Sequence, residues 1–149
     1  MTITVRQAIL NLPARRDHSQ HEIIQKLAPR YPKEEIKQAL VNIVQSGLLN
    51  ETRFTENYIR WRTAKGYGPL RISLELQARG ITAEMIAERL EITDNAWLIA
   101  ARQVWQKHFK GEIPSDFKHR AKQMRFLQYR GFTREQIESV LSGVEEFEM

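Results

Sequence analysis

One helical unit is written into this chain three times, and that repetition limits the possible folds more than any other feature. The first copy runs Ile23-Ile-Gln-Lys-Leu27-Ala-Pro-Arg30-Tyr-Pro-Lys-Glu-Glu-Ile36-Lys-Gln-Ala-Leu40. The second runs from Ile72 through Leu76, Arg79-Gly80 and Ile86 to Leu90, and the third from Met124 through Leu127, Arg130-Gly131 and Ile137 to Leu141. Each has Leu, Arg three residues later, an apolar residue, Pro or Thr, an acid, and Ile four before Leu. Ile36, Ile86 and Ile137 are spaced at a nearly constant period of about 50 residues, the mark of stacked supersecondary units.

Local chemistry makes each copy a helix pair. In the later copies Arg-Gly ends one helix, because glycine takes the left-handed conformation that satisfies the last carbonyls. Thr82 and Thr133 then cap the next helix; Thr133 with Gln136, and Ser19 with Glu22 upstream, have capping-box spacing. The first copy lacks the glycine, so its turn must close differently. A longer amphipathic helix precedes each later pair: Asn50 or Glu51 to Lys65, carrying Phe54, Tyr58 and Trp61, and Asp94 to Phe109, carrying Trp97, Ala101, Val104, Trp105 and His108. Thr4–Leu12 supplies the corresponding first helix. Gly66–Pro69 and Lys110–Pro114 are breaks, with Pro69 suited to a first helical position.

The expected fold is therefore all-α. Three tandem three-helix repeats, at 1–49, 50–93 and 94–149 with a short acidic tail, stack into an elongated, curved body. Each repeat is too small to bury its own core well. Such a body offers an extended surface, and a monomer that holds a partner is the natural first reading.

The charge map says what kind of partner. Net charge is +5, and residues 115–134 carry six basic side chains (Lys118, Arg120, Lys122, Arg125, Arg130 and Arg134) against Asp116 alone. A patch this dense suits nucleic acid or an acidic protein surface. The helices that would read DNA in a helix-turn-helix open instead on Glu34 and Glu35, Glu84, or Glu135. These acids favour the helix dipole but repel phosphates, which disfavours sequence-specific readout.

Catalytic constellations are weak. No cysteine is present, which removes disulfides and thiolate sites and suits a reducing, cytoplasmic setting. His18 and His21, beside Glu22, lack the His-Glu-x-x-His spacing and third ligand of a zinc helix. Gly66-Tyr67-Gly68-Pro69 lacks the Gly-Lys-Ser/Thr of a phosphate loop, and His108 and His119 have no partnered nucleophile. No apolar run reaches a membrane span, and Arg6, Arg15 and Arg16 do not have the order of a signal peptide. Neither enzymatic activity, nor a cofactor, nor a metal is expected.

The block from Gly47 to Ile81 resembles the RecX family of regulatory proteins, modulators of the RecA recombinase. The matching residues are Gly47-x-Leu49-Asn50-x-x-Arg53-Phe54, Lys65-Gly66-x-Gly68-Pro69-x-x-Ile72, Glu75-Leu76 and Arg79-Gly80-Ile81. Glu51 stands where the family usually has aspartate and Arg79 where lysine is common; both keep the charge. The resemblance implies tandem three-helix repeats and a body lying in the groove of a RecA filament on single-stranded DNA, with weak direct DNA binding of its own. It also implies hindrance of RecA's ATP turnover, strand exchange and SOS co-protease activity. The charge map then nominates Lys65, Tyr67, Arg71, Arg79, Lys118, Lys122, Arg125 and Arg130 for that interface. The competing reading is a general nucleic-acid-binding helical protein, and a third is an adaptor for another acidic partner.

Overall fold

The computed structural model describes residues 3–12, 19–46 and 50–146. Arg15, Arg16, His18, Gly47, Leu49 and the end of the acidic tail lie outside them. The described residues form nine α-helices and no strand: α1 (Val5–Leu10), α2 (Gln20–Leu27), α3 (Lys33–Gln45), α4 (Glu51–Ala64), α5 (Pro69–Ala78), α6 (Ala83–Arg89), α7 (Ala96–Phe109), α8 (Phe117–Arg130) and α9 (Arg134–Glu146). The all-helical expectation is met. No helix among the described residues is long and apolar enough to cross a membrane.

Most helix boundaries follow from the residues that satisfy their ends. The Thr133–Gln136 capping box is complete: the Gln136 amide donates to Thr133 Oγ1 at 3.1 Å and the Thr133 amide to Gln136 Oε1 at 2.9 Å. Thr82 caps α6 through the Met85 amide, and Ser19 caps α2 through the Glu22 amide. Thr4 and Gln7 form a further capping box at α1. Asp94 falls outside α7, because its carboxylate accepts the Ala96 amide and so marks the entry rather than the first turn. Gly80 and Gly131 leave α5 and α8 with φ of +82° and +100°. Without a glycine, α2 closes through an Ala28–Arg30 turn in which the Arg30 and Tyr31 amides donate to the Leu27 carbonyl, and Pro32 opens α3.

The fold divides into two compact units, 1–58 with 76–89, and 59–75 with 90–149, so α4 and α5 each contribute to both. In the first unit α1, α2 and α3 pack on one another around Ile9, Ile23, Leu27, Ile36, Leu40 and Ile43, all essentially inaccessible to solvent. Ser19, fully buried, donates its hydroxyl to the Arg79 carbonyl, and the Glu51 carboxylate accepts the Gln20 amide at 2.8 Å. In the second unit α7, α8 and α9 pack on one another around Trp97, Ala101, Trp105, Leu127, Phe132, Ile137 and Leu141. A buried amide fixes two of these helices. Gln123 accepts from Trp105 Nε1 at 2.8 Å and donates to the Glu112 carbonyl at 2.8 Å.

Two glycines weld the turn after α4 to the end of α8. The Gly68 amide donates to the Arg130 carbonyl at 2.6 Å and the Leu70 amide to the Gly131 carbonyl at 2.9 Å. A Cβ on Gly68 would come within 2.5 Å of the Gly131 carbonyl carbon, and one on Gly131 would fall on Cβ and the backbone of Arg71. Backbone meets backbone here, so no side-chain rotation can relieve a clash. Gly68→Ala and Gly131→Ala should each destabilise the fold by ~2–4 kcal/mol through overpacking and, at Gly131, left-handed strain. Urea unfolding checks this, and Gly143→Ala, where a Cβ meets nothing within 4 Å, should change little.

Candidate partner-binding surface

Tyr67 is placed by that weld, and the second unit's arginines gather on its ring. The Arg62 guanidinium lies 3.8 Å from the ring centroid, that of Arg71 4.5 Å and that of Arg130 5.0 Å. Three cations on one ring repel one another, and Glu75 supplies the counter-charge. It takes a two-pronged pair from Arg62, both contacts at 2.8 Å, and lies 3.7 Å from Arg71. Arg62 and Glu75 are largely buried, so the pair is desolvated as well as bidentate. Arg71 also donates to the Tyr129 carbonyl at 3.3 Å and stacks over the Tyr129 ring, which is exposed. Arg130 donates through Nη1 to the Lys65 carbonyl at 3.1 Å.

The structure thus brings Lys65, Tyr67, Arg71 and Arg130 together. Lys118, Lys122 and Arg125 are exposed on α8 at i, i+4 and i+7, a spacing that puts them on one helix face, and Tyr129 at i+11 continues the row to Arg71. Arg79 belongs to the first unit. There its guanidinium sits 3.6 Å from Glu22 and 4.7 Å from the Tyr58 ring centroid.

Three contributors escaped the sequence. Arg62 anchors Glu75, Tyr129 carries Arg71, and Asp116, the lone acid of the basic segment, caps α8. Asp116 and Tyr129 could have been found from i, i+3 capping spacing and from the i+4 step after Arg125; nothing local marks Arg62. Trp61 is half exposed at 51%, beside Arg62. His21 lies against Gly80, where a Cβ on the glycine would overlap the His21 side chain, a contact that explains its position by packing. Among the described residues no group of three His, Asp or Glu is placed to hold a metal ion.

A helical protein of three-helix units bearing a basic, tyrosine-studded surface is the class these observations define. Two family models narrow it: the second three-helix domain of RecX matches residues 50–90 and the third matches residues 99–141. A regulatory protein RecX from Pseudomonas entomophila is 42% identical over 142 residues, covering 95% of this chain and 92% of that protein. Another from Pseudomonas syringae pv. tomato is 39% identical with the same coverage. The crystal structure of RecX from Lactobacillus salivarius shares the fold, with a TM-score of 0.80 over 95% of both chains at 18% identity. The chain belongs to the RecX family of regulatory proteins.

Two predictions follow from the geometry around α8 and Tyr67. The Tyr67 ring, rather than its hydroxyl, holds the arginines, so Tyr67→Phe should be nearly neutral while Tyr67→Ala costs ~2–4 kcal/mol by denaturant unfolding. The second concerns acid. The His119 amide, and then its ring, hydrogen-bond the Asp116 carboxylate and lower its pKa below the ordinary 3.8. A depressed carboxylate stabilises the fold above its ordinary pKa and loses that contribution as pH falls through the lowered value. Asp116→Ala should therefore lower the thermal midpoint at neutral pH, and its gap to wild type should close as pH drops below about 3.8 in a melting series.

Proposed function

We propose that this protein binds RecA and its filament on single-stranded DNA and modulates it, mainly by inhibiting ATP hydrolysis, strand exchange and SOS co-protease activity. It acts as a cytoplasmic regulator without catalysis of its own. Membership of the RecX family, at 42% identity over 95% of the chain, is the observation that carries this reading. The surface supports it: arginines held in place by Tyr67 and Glu75 lose less side-chain freedom on binding than solvated ones would. The interface we assign comprises Lys65, Tyr67, Arg71, Lys118, Lys122, Arg125 and Arg130 in the second unit, with Arg79 in the first.

A second reading, direct binding to nucleic acid, is favoured by Tyr129 and Trp61, exposed aromatics beside arginines that could stack on bases. One titration separates the two. Under the first reading, the protein suppresses RecA's DNA-dependent ATP hydrolysis well below one copy per RecA subunit. Under the second, it binds bare single strands tightly with a steep salt dependence and affects RecA only at amounts that cover the DNA.

The exposed row on α8 gives the mutational test. Lys118→Glu, Lys122→Glu and Arg125→Glu combined should leave the fold intact and weaken filament binding by ~10-fold or more at moderate salt. Unchanged inhibition by the triple variant would remove the row from the interface. Arg130 is a poorer choice for charge reversal, since it bonds the Lys65 carbonyl and would confound binding with folding.

A further inference from the structure

The second unit contains a cleft that shares Lys65 and Arg130 with the assigned interface but lies off the exposed row of α8. Its volume is about 420 Å³, and it lies among the end of α4 with its following turn, α7 and α8. Lys65, Lys107, Arg130, His108, Gln103 and Phe126 reach it, and no carboxylate lines it. Elsewhere in this unit Arg62 sits against Glu75 and Arg134 against Glu138. Here three permanent positive charges converge with no acid in the lining to offset them.

The cleft is also partly prearranged. Arg130 is anchored by its bond to the Lys65 carbonyl and lies 5.2 Å over the Phe126 ring, leaving further guanidinium donors for a ligand. His108 stacks on Phe126 with centroids 3.8 Å apart and an interplanar angle of 15°, and Phe109 meets Phe126 edge-on. One region therefore offers charge for an oxyanion and the exposed His108 ring, backed by Phe126, for a planar group, in a volume typical of small-molecule sites of roughly 300–1,000 Å³. Phe126 and Arg130 lie roughly a quarter turn of α8 away from the Lys118–Lys122–Arg125 row, so a strand following that row does not cross the cleft by default.

We propose that this cleft binds a free nucleoside polyphosphate. Its phosphates meet Lys65, Lys107 and Arg130, and its base packs against the His108–Phe126 rings. The inference rests on the cleft's own lining and needs no RecA contact, although Lys65 and Arg130 also belong to the assigned interface.

Isothermal titration at low salt with ATP, inorganic triphosphate, adenosine and a short oligothymidylate tests it. ATP should occupy a single saturable site, triphosphate should bind more weakly, and adenosine should give no heat. Lys107→Glu, an exposed change, should weaken ATP by ~10-fold or more without shifting the melting midpoint; Lys65→Glu should do the same. The Lys118→Glu, Lys122→Glu, Arg125→Glu variant should bind ATP like wild type. No ATP heat at millimolar concentration, or ATP binding indifferent to both cleft variants, overturns the proposal. Oligothymidylate binding that is lost in Lys107→Glu while ATP never binds also overturns it, and makes the cleft a contact for backbone phosphates instead.

Discussion

The backbone contact between Gly68 and Gly131 sets the geometry of most of the candidate surface. Two amide hydrogen bonds join the turn after α4 to the end of α8, at a separation that leaves no room for a Cβ on either glycine. Tyr67 precedes one glycine and Arg130 the other, so the weld brings a ring and a guanidinium together without any side chain having to search. Pro69, lacking an amide proton, starts α5 at this point and leaves the Leu70 amide to reach Gly131. Arg71 follows one residue later, already against Gly131. A motif that reads as a helix breaker is also the joint on which the arginine cluster is built.

Electrostatics explains why that cluster is stable. Arginines 62, 71 and 130 would repel one another on a common ring, and the interaction of each with the π-face, worth about 0.5–2 kcal/mol, does not by itself offset desolvation. Glu75 makes the difference, because it is bidentate to the largely buried Arg62 and close to Arg71. The cluster keeps a net positive charge while its members stay ordered. Other basic residues sit differently: Lys118, Lys122 and Arg125 are exposed, and Arg79 shares its position with Glu22 and Tyr58. Basic residues that look equivalent in a charge count thus differ in how much freedom remains to be lost on binding.

Helix ends were the most legible part of this chain. Thr82, Thr133 with Gln136, Gly80, Gly131 and Pro69 all act as their neighbours in sequence dictate, since capping and left-handed turns are satisfied within a few residues. The start of α7 was read two residues early, because Asp94 resembles a first-turn acid and serves instead as a side-chain acceptor for Ala96. The basic segment was legible as a patch, but its single acid was not legible as the cap that starts α8. Family membership was legible from the Gly47–Ile81 block, although Gly47 and Leu49 themselves lie outside the described residues.

Sequence alone determined the helical class, the recurrence of the helix-pair motif, most helix termini and the family, because each rests on periodicity and on contacts within one or two turns. Tertiary structure decided which cations are ordered and which are left to solvent. Arg62 on α4 meets Glu75 on α5, and Lys107, unremarkable in the chain, converges with Lys65 and Arg130 from distant parts of the sequence. Those pairings depend on the glycine weld and on the packing of α7 against α8, both set by long-range burial. A local pattern can place a charge on a helix, but only the packed fold determines which other charge it will face.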